Sequence, residues 1–368
     1  MINAYTPCHT EIAVINMMNK HETQFFATAL LSFALWSCNS THNDTAAIIT
    51  IDIDTVTNDS LDIADFADSI TYIDLKTPED EFIGYIHNAK IKDKHIIIKD
   101  NNKNSPVALF DIDGNFISRI GRRGQGPGEY ILTTAVDIDR DTVYVYDIRL
   151  GYAIKYDFEG LYLGRDSIGV GDDFAVTRIN GDKRYLLANY TVSCDDMAGV
   201  FLVDPDPFRS ERILGRRDKK IENNKVNEFS TDGGTVRMMT NDFEYKLMRL
   251  DGDSLVCEYE FDITPCPDSN EIDDWVRGYE TAKKHYQRTA LYDAGRWLIL
   301  AFSKIDNPRM VLFDKKNGTY KVSQWLKNSV DGLGLFYYQP SVIDGALLCV
   351  TIPENDENPR LMLAHLKK

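Results

Sequence analysis

Gly121-Arg122-Arg123-Gly124-Gln125-Gly126-Pro127-Gly128-Glu129-Tyr130 packs four glycines and a proline into ten residues. Glycine loses the most backbone entropy on ordering and proline lacks an N–H donor, so neither a helix nor a central strand can run through this stretch. It is an ordered loop, and its flanks decide the fold. Val107-Ala108-Leu109-Phe110 and Phe116-Ile117-Ser118-Arg119-Ile120 come before it, and Ala135-Val136-Asp137-Ile138 and Thr142-Val143-Tyr144-Val145-Tyr146 come after it. These are strand-forming runs. Turn-rich Asp111-Ile112-Asp113-Gly114-Asn115 joins the first two and Asp139-Arg140-Asp141 the second two. The unit is strand, tight turn, strand, long glycine loop, strand.

Aligning the hairpin turns exposes a repeat. Asp111, Asp157, Asp204 and Asp251 follow one another at intervals of about 46 or 47 residues, and Asp314 follows after about 63. A period of that length, filled with short strands, is what radial repetition of β-sheets produces. Further strands are expected at Ala89-Lys90-Ile91, His95-Ile96-Ile97-Ile98, Ala175-Val176-Thr177, Tyr185-Leu186-Leu187-Ala188, Thr235-Val236-Arg237-Met238-Met239, Trp297-Leu298-Ile299-Leu300-Ala301 and Leu347-Leu348-Cys349-Val350-Thr351. Five turns plus a closing blade make six. The last strand, Arg360 to Leu366, has no chain left to complete its sheet, and Ile70-Thr71-Tyr72-Ile73-Asp74-Leu75 can supply the missing strand. The fold class is therefore all-β, a six-bladed β-propeller.

The run from Gly121 through Ala153-Ile154-Lys155-Tyr156-Asp157 resembles an NHL-type propeller repeat of the TolB-like kind. Gly-Gln-Gly-Pro-Gly-Glu-Tyr is similar to the signature of the six-bladed β-propeller lipoproteins of Bacteroidetes. The resemblance implies that the glycine loop carries the chain from the outer strand of one blade to the inner strand of the next. Separately, Asp44-Thr45-Ala46, Asp59-Ser60-Leu61 and Asp68-Ser69-Ile70 resemble the Asp-Ser/Thr-apolar acceptor sites of Bacteroidetes O-glycosylation, a tripeptide that is also common by chance.

Residues 1–37 read as a lipoprotein signal peptide. Asn19-Lys20-His21 opens it, Phe25 to Leu35 is apolar but too short to cross a bilayer, and Leu35-Trp36-Ser37-Cys38 resembles a lipobox with Cys38 as the lipidated residue. Residues 38–60 are expected as a polar tether and 61–368 as the propeller. Within it, residues 269–287 form a helical insertion: cap-type residues and acids come first and bases last, with Ile272, Trp275, Val276, Tyr279 and Ala282 on one face. That face packs on the blades or docks a partner.

Composition is ordinary for a globular chain, 43% apolar and 27% charged, with a formal net charge of −16. Nucleic acid and anionic lipid surfaces need a basic face, so neither is expected as the main partner. Beyond the leader the cysteines are Cys38, Cys194, Cys257, Cys266 and Cys349, with no CxxC pair. With Cys38 acylated, the other four are expected as buried free thiols; the extended run between Cys257 and Cys266 holds those two too far apart to bridge.

Catalytic patterns are missing from the sequence: no HExxH, no GxSxG and no GK[ST] after the glycine loop. Beyond the leader the histidines are His42, His87, His95, His285 and His365, with no paired spacing, so no metal or other cofactor is expected. Asp111-Ile112-Asp113-Gly114 and Asp137 to Asp141 lack the closing Glu of a calcium loop and read as hairpin turns. What remains is a non-catalytic binding surface, with a protein, peptide or glycan of the cell envelope as partner. The location is the outer membrane, through the lipid on Cys38. Arg122, Arg123, Gln125, Glu129 and Tyr130 are the candidate binding residues, and tying neighbouring blades together is the other reading of the same group. Tyr337-Tyr338 is a second aromatic pair that stacks on a ligand or packs in the core. The alternative class is a propeller enzyme, lyase or hydrolase, or a carbohydrate-processing protein with its site in the central channel.

Overall fold

A computed structural model describes residues 46–368 except 57–59, 79–81, 93, 101–106, 170–173, 180, 190–198, 216–228, 233, 240–244, 265–283, 305–306, 334–335, 344 and 352–357. The expected signal peptide, Cys38, Cys194, Cys266 and nearly all of the expected insertion helix lie outside the described residues.

Six four-stranded antiparallel blades form the propeller, each running from its innermost to its outermost strand, and one parallel pairing between inner strands, Thr231 opposite Ser341, joins two of them into a continuous sheet. Blade I is Ile86–Lys92, His95–Asp100, Val107–Asp111 and Phe116–Arg119. Blade II is Thr133–Asp139, Thr142–Asp147, Tyr152–Tyr156 and Tyr162–Ser167; blade III is Phe174–Arg178, Tyr185–Asn189, Gly199–Pro205 and Phe208–Gly215. Blade IV is Ser230–Asp232, Thr235–Met239, Lys246–Asp251 and Ser254–Thr264; blade V is Gln287–Ala294, Trp297–Ser303, Arg309–Asp314 and Thr319–Ser323. Blade VI takes Phe336–Ile343, Ala346–Thr351 and Arg360–Leu366 from the end of the chain and Ala67–Asp74 from its beginning. The N-terminal strand pairs antiparallel with the C-terminal one, Met362 opposite Tyr72 and Ala364 opposite Ile70, which closes the ring as the sequence requires.

Each blade has neighbours on both faces, so its central strands are apolar on both faces. Ile96 and Ile98 pack toward blade VI while Ile97, between them, packs toward blade II. The described core consequently divides into six clusters, one at each junction between blades. A fully buried aliphatic or aromatic side chain in such a cluster contributes roughly 1.5–3 kcal/mol.

The third-to-fourth strand turns work as the aspartate spacing implies. Asp111 accepts from the amides of Asp113 and Asn115, Asp157 from Glu159 and Leu161, Asp204 from Asp206, and Asp314 from Lys316. These carboxylates satisfy their own turns.

Residues 47–53 differ from expectation. They belong to no polar tether: Ala47–Asp52 is a fifth strand on blade IV, parallel to Ser254–Thr264, with Ala47 opposite Tyr259 and Asp52 opposite Thr264. Ile51 and Ile53 are fully buried between blades IV and V, and that burial holds the segment down. Tyr286, near the end of the expected insertion, is buried and accepts a backbone bond from the Tyr245 hydroxyl at 2.9 Å, and Gln287 already begins the inner strand of blade V. Cys257 and Cys349 are free thiols, Cys349 buried and Cys257 half-buried.

Candidate functional site

The glycine loop runs from the outer strand of blade I to the inner strand of blade II. Its two ends lie side by side, Arg122 opposite Glu129 and Arg123 opposite Tyr130 in a short parallel ladder, with the Gly124 amide bonded to the Tyr130 carbonyl at 2.9 Å. Glu129 is the internal clamp: one oxygen accepts from the Gly126 amide at 2.8 Å and the other from Arg122 Nε at 2.7 Å. Those donors, the Gly126 amide first and then Arg122, hold its carboxyl below the usual carboxylate range. Blade II supplies the wall. The Tyr156 hydroxyl donates to the Gly128 carbonyl at 3.0 Å, and a Cβ on Gly128 would stand 2.8 Å from Tyr162 Cβ, so glycine is required where the loop meets that ring.

This geometry divides the expected binding residues. Tyr130 is not presented to a partner: it is 1% exposed in the core between blades I and II, and its hydroxyl donates to the Ile120 carbonyl at 3.3 Å. Burial pushes its phenol upward. Glu129 turns inward and ties the loop. Arg122, Arg123 and Gln125 are exposed, Arg122 with 80% of its side chain in solvent even while paired. Tyr337 and Tyr338 lie on the inner strand of blade VI, opposite Val350 and Cys349.

A second polar constellation, which the sequence reading did not single out, lies on the inner strands of blades I to III. Lys90 pairs with Asp137 at 3.4 Å, Lys92 pairs with Asp139 at 3.2 Å, and Arg178 reaches the other oxygen of Asp139. Asn88 accepts from the Val136 amide at 3.1 Å in the same row. Burial pushes the Asp139 carboxyl up, but Lys92 and Arg178 outweigh it and leave the group below the usual range. Lys90 and Asp137 are 47 residues apart, as are Lys92 and Asp139. Opposite charges at the blade period were the available signal. The same interval separates Asp100 from Asp147. Each ends a second strand and takes two amides of the segment entering its own blade, Gly84 and Tyr85 for Asp100, Ile131 and Leu132 for Asp147.

The turns beside this row are unusual in one respect. Lys94 has φ 65° and Arg140 φ 57°, in the left-handed region where a non-glycine residue costs roughly 1–2 kcal/mol. Among the described residues, no group of His, Cys, Asp and Glu side chains is placed to hold a metal ion.

The family described as a domain of unknown function, DUF4934, matches residues 48–364. The chain belongs to this family. The match spans all six blades and the added N-terminal strand. No curated protein matches the DUF4934 chain. Among solved structures, a Bacteroides fragilis protein described as exported superposes with a TM-score of 0.70 at 15% identity, covering 88% of this chain and 100% of its own. A member of the DUF4221 family from Bacteroides vulgatus gives a TM-score of 0.54 at 12% identity, covering 82% of this chain and 97% of its own. At such identities the likeness is one of fold.

Proposed function

We propose that this DUF4934 chain is a non-catalytic binding module of the cell envelope, lipid-anchored at Cys38, whose glycine loop presents Arg122, Arg123 and Gln125 to a protein, peptide or glycan partner. One observation carries the reading: the loop is fixed from within by Glu129, Tyr130 and Tyr156 while its guanidinium groups stay in solvent. A rigid loop loses little entropy when a partner docks, and arginine is enriched at recognition surfaces. The fold likeness to a Bacteroides protein described as exported supports the envelope location.

The charged row Lys90–Asp137 and Lys92–Asp139–Arg178 favours a second reading, a ligand or substrate in the central channel. Its described carboxylates are already held by cations, an arrangement suited to positioning a polar ligand.

The test is an affinity pull-down from detergent-solubilised envelopes with the anchored protein, beside an Arg122→Ala, Arg123→Ala variant of unchanged melting temperature. The expected outcome is a partner retained by the wild type and lost by the variant. Equal retention by both would remove the loop from the interface and leave the channel reading.

A further inference from the structure

The first hairpin turns of blades I and II carry two side chains that the backbone would be easier without. In blades IV, V and VI the left-handed residue of this turn is Gly234, Gly295 and Gly345; in blades I and II it is Lys94 and Arg140. Among non-glycine residues, Asn, Asp and His are several-fold enriched in this conformation. Asn and Asp have short polar side chains that bond locally, whereas a long stem ending in a cation gains nothing from the turn itself. Both side chains are exposed, and no hydrogen bond or ion pair is found for either among the described residues.

The two turns are neighbours. Lys92, two residues before Lys94, pairs at 3.2 Å with Asp139, the residue before Arg140. Asp139 is engaged by Lys92 and Arg178, and Asp182 in the corresponding turn of blade III by Arg184 at 2.7 Å. Asp141 is the one described carboxylate of these three turns that no cation holds; it accepts only from Thr142 at 3.5 Å. Two cations that no described residue holds thus stand on neighbouring turns at one mouth of the ring, on a chain whose formal net charge is −16.

We infer that Lys94 and Arg140 form a binding site at this mouth of the propeller for a small ligand carrying two oxyanion groups. An ammonium takes an oxyanion as a point charge, and the planar guanidinium takes a carboxylate or phosphoryl group through two parallel hydrogen bonds. Long-range repulsion from an acidic chain works against any anion, so recognition has to come from contact. Contact is what side chains held in a costly backbone conformation supply. The site is separate from the Arg122 loop and does not depend on it.

Isothermal titration calorimetry of the full chain with citrate, inorganic phosphate and trigalacturonate, and with neutral galactotriose as control, tests this. At least one anionic probe is expected to bind the wild type and to bind Lys94→Gly and Arg140→Gly at least tenfold more weakly, with Arg122→Ala unchanged. Which probe binds separates a small organic acid, a phosphoryl ligand and an acidic sugar. Melting temperatures of the glycine variants are expected to equal or exceed that of the wild type. The inference is overturned if no anionic probe binds, if galactotriose binds as well, if the double glycine variant keeps wild-type affinity, or if the glycine variants melt lower.

Discussion

Lys99 is 3% exposed on the second strand of blade I, opposite Asn88 and Val107. Burial pushes its ammonium down from 10.5 to about 8, against the opposing pull of Asp100. The charged form is therefore disfavoured in the fold relative to the unfolded chain. Below pH 8 both states are protonated and the full penalty applies. Between about pH 8 and 10.5 the unfolded chain binds more protons, so stability rises with pH through that window. Buried tyrosines act in the opposite sense at its upper end: desolvation raises the phenols of Tyr130, Tyr144 and Tyr156 above the ordinary 10, so their contribution is lost as pH climbs past it. Denaturant midpoints measured at pH 7.5, 8.5 and 9.5 are expected to increase for the wild type. Lys99→Met should be more stable at pH 7.5 and flat across the series; parallel curves for the two proteins would show that Lys99 keeps its ordinary affinity for protons.

The glycine loop is clamped in its middle by Glu129 and anchored at its far end by Tyr130 and Tyr156. Replacing Glu129 by Ala removes both of its hydrogen bonds, leaving the Gly126 amide and the Arg122 guanidinium without their acceptor. Because the loop is exposed while Tyr130 and Tyr156 still anchor its far end, the change should loosen the loop with little effect on global stability. Limited trypsin digestion reads this directly, since Arg122 and Arg123 are cleavage sites within the loop: Glu129→Ala is expected to be cut there several times faster than wild type, with a melting temperature within a few degrees of it. A cleavage rate equal to wild type would mean that the clamp is not what orders the loop. That Tyr130 faces inward was not legible in the sequence, because the core it enters is assembled from strands of blades I and II that meet only in the ring, whereas Glu129 takes its donors, Gly126 and Arg122, from its own loop, in line with the tying role the sequence offered for it. The aspartate turns were legible, since each depends only on amides two to four residues away. The alternation Ile49, Ile51, Ile53 was equally visible, but its partner, Ser254–Thr264, lies some two hundred residues on, and nothing local announces a parallel pairing at that distance. The Lys–Asp row needed blades aligned by inner strand, where charges of opposite sign fall at the same position.

At the scale of the whole molecule the ring is closed by a strand from the other end of the chain. Ala67–Asp74 pairs with Arg360–Leu366 along its length, and Ile73 and Leu75 pack into the cluster between blades VI and I. Without it, blade VI would present an open edge at Arg360–Leu366 beside an uncovered apolar face, the combination that leads sheets to associate. The strand added to blade IV differs, because it lies outside a sheet already complete. A chain beginning at Thr55 loses Ile51 and Ile53, worth roughly 1.5–3 kcal/mol each, and should stay monomeric with a lower melting temperature. A chain beginning at Lys76 should aggregate. The second result alone would not separate loss of closure from loss of stability, and the position of the C-terminus allows the two to be told apart: the Lys367 amide donates to the Phe66 carbonyl at 2.8 Å, so the chain already ends where the closing strand starts. Moving Leu61–Leu75 behind Lys368 through a short glycine–serine linker rebuilds blade VI as a hairpin from one end of the chain. Size-exclusion chromatography and calorimetry of this permutant are expected to give a monomer with a single cooperative transition, recovering what the Lys76 truncation loses. A soluble, cooperatively unfolding truncation, or a permutant that aggregates as the truncation does, would show that the edge at Arg360–Leu366 is not what the N-terminal strand protects.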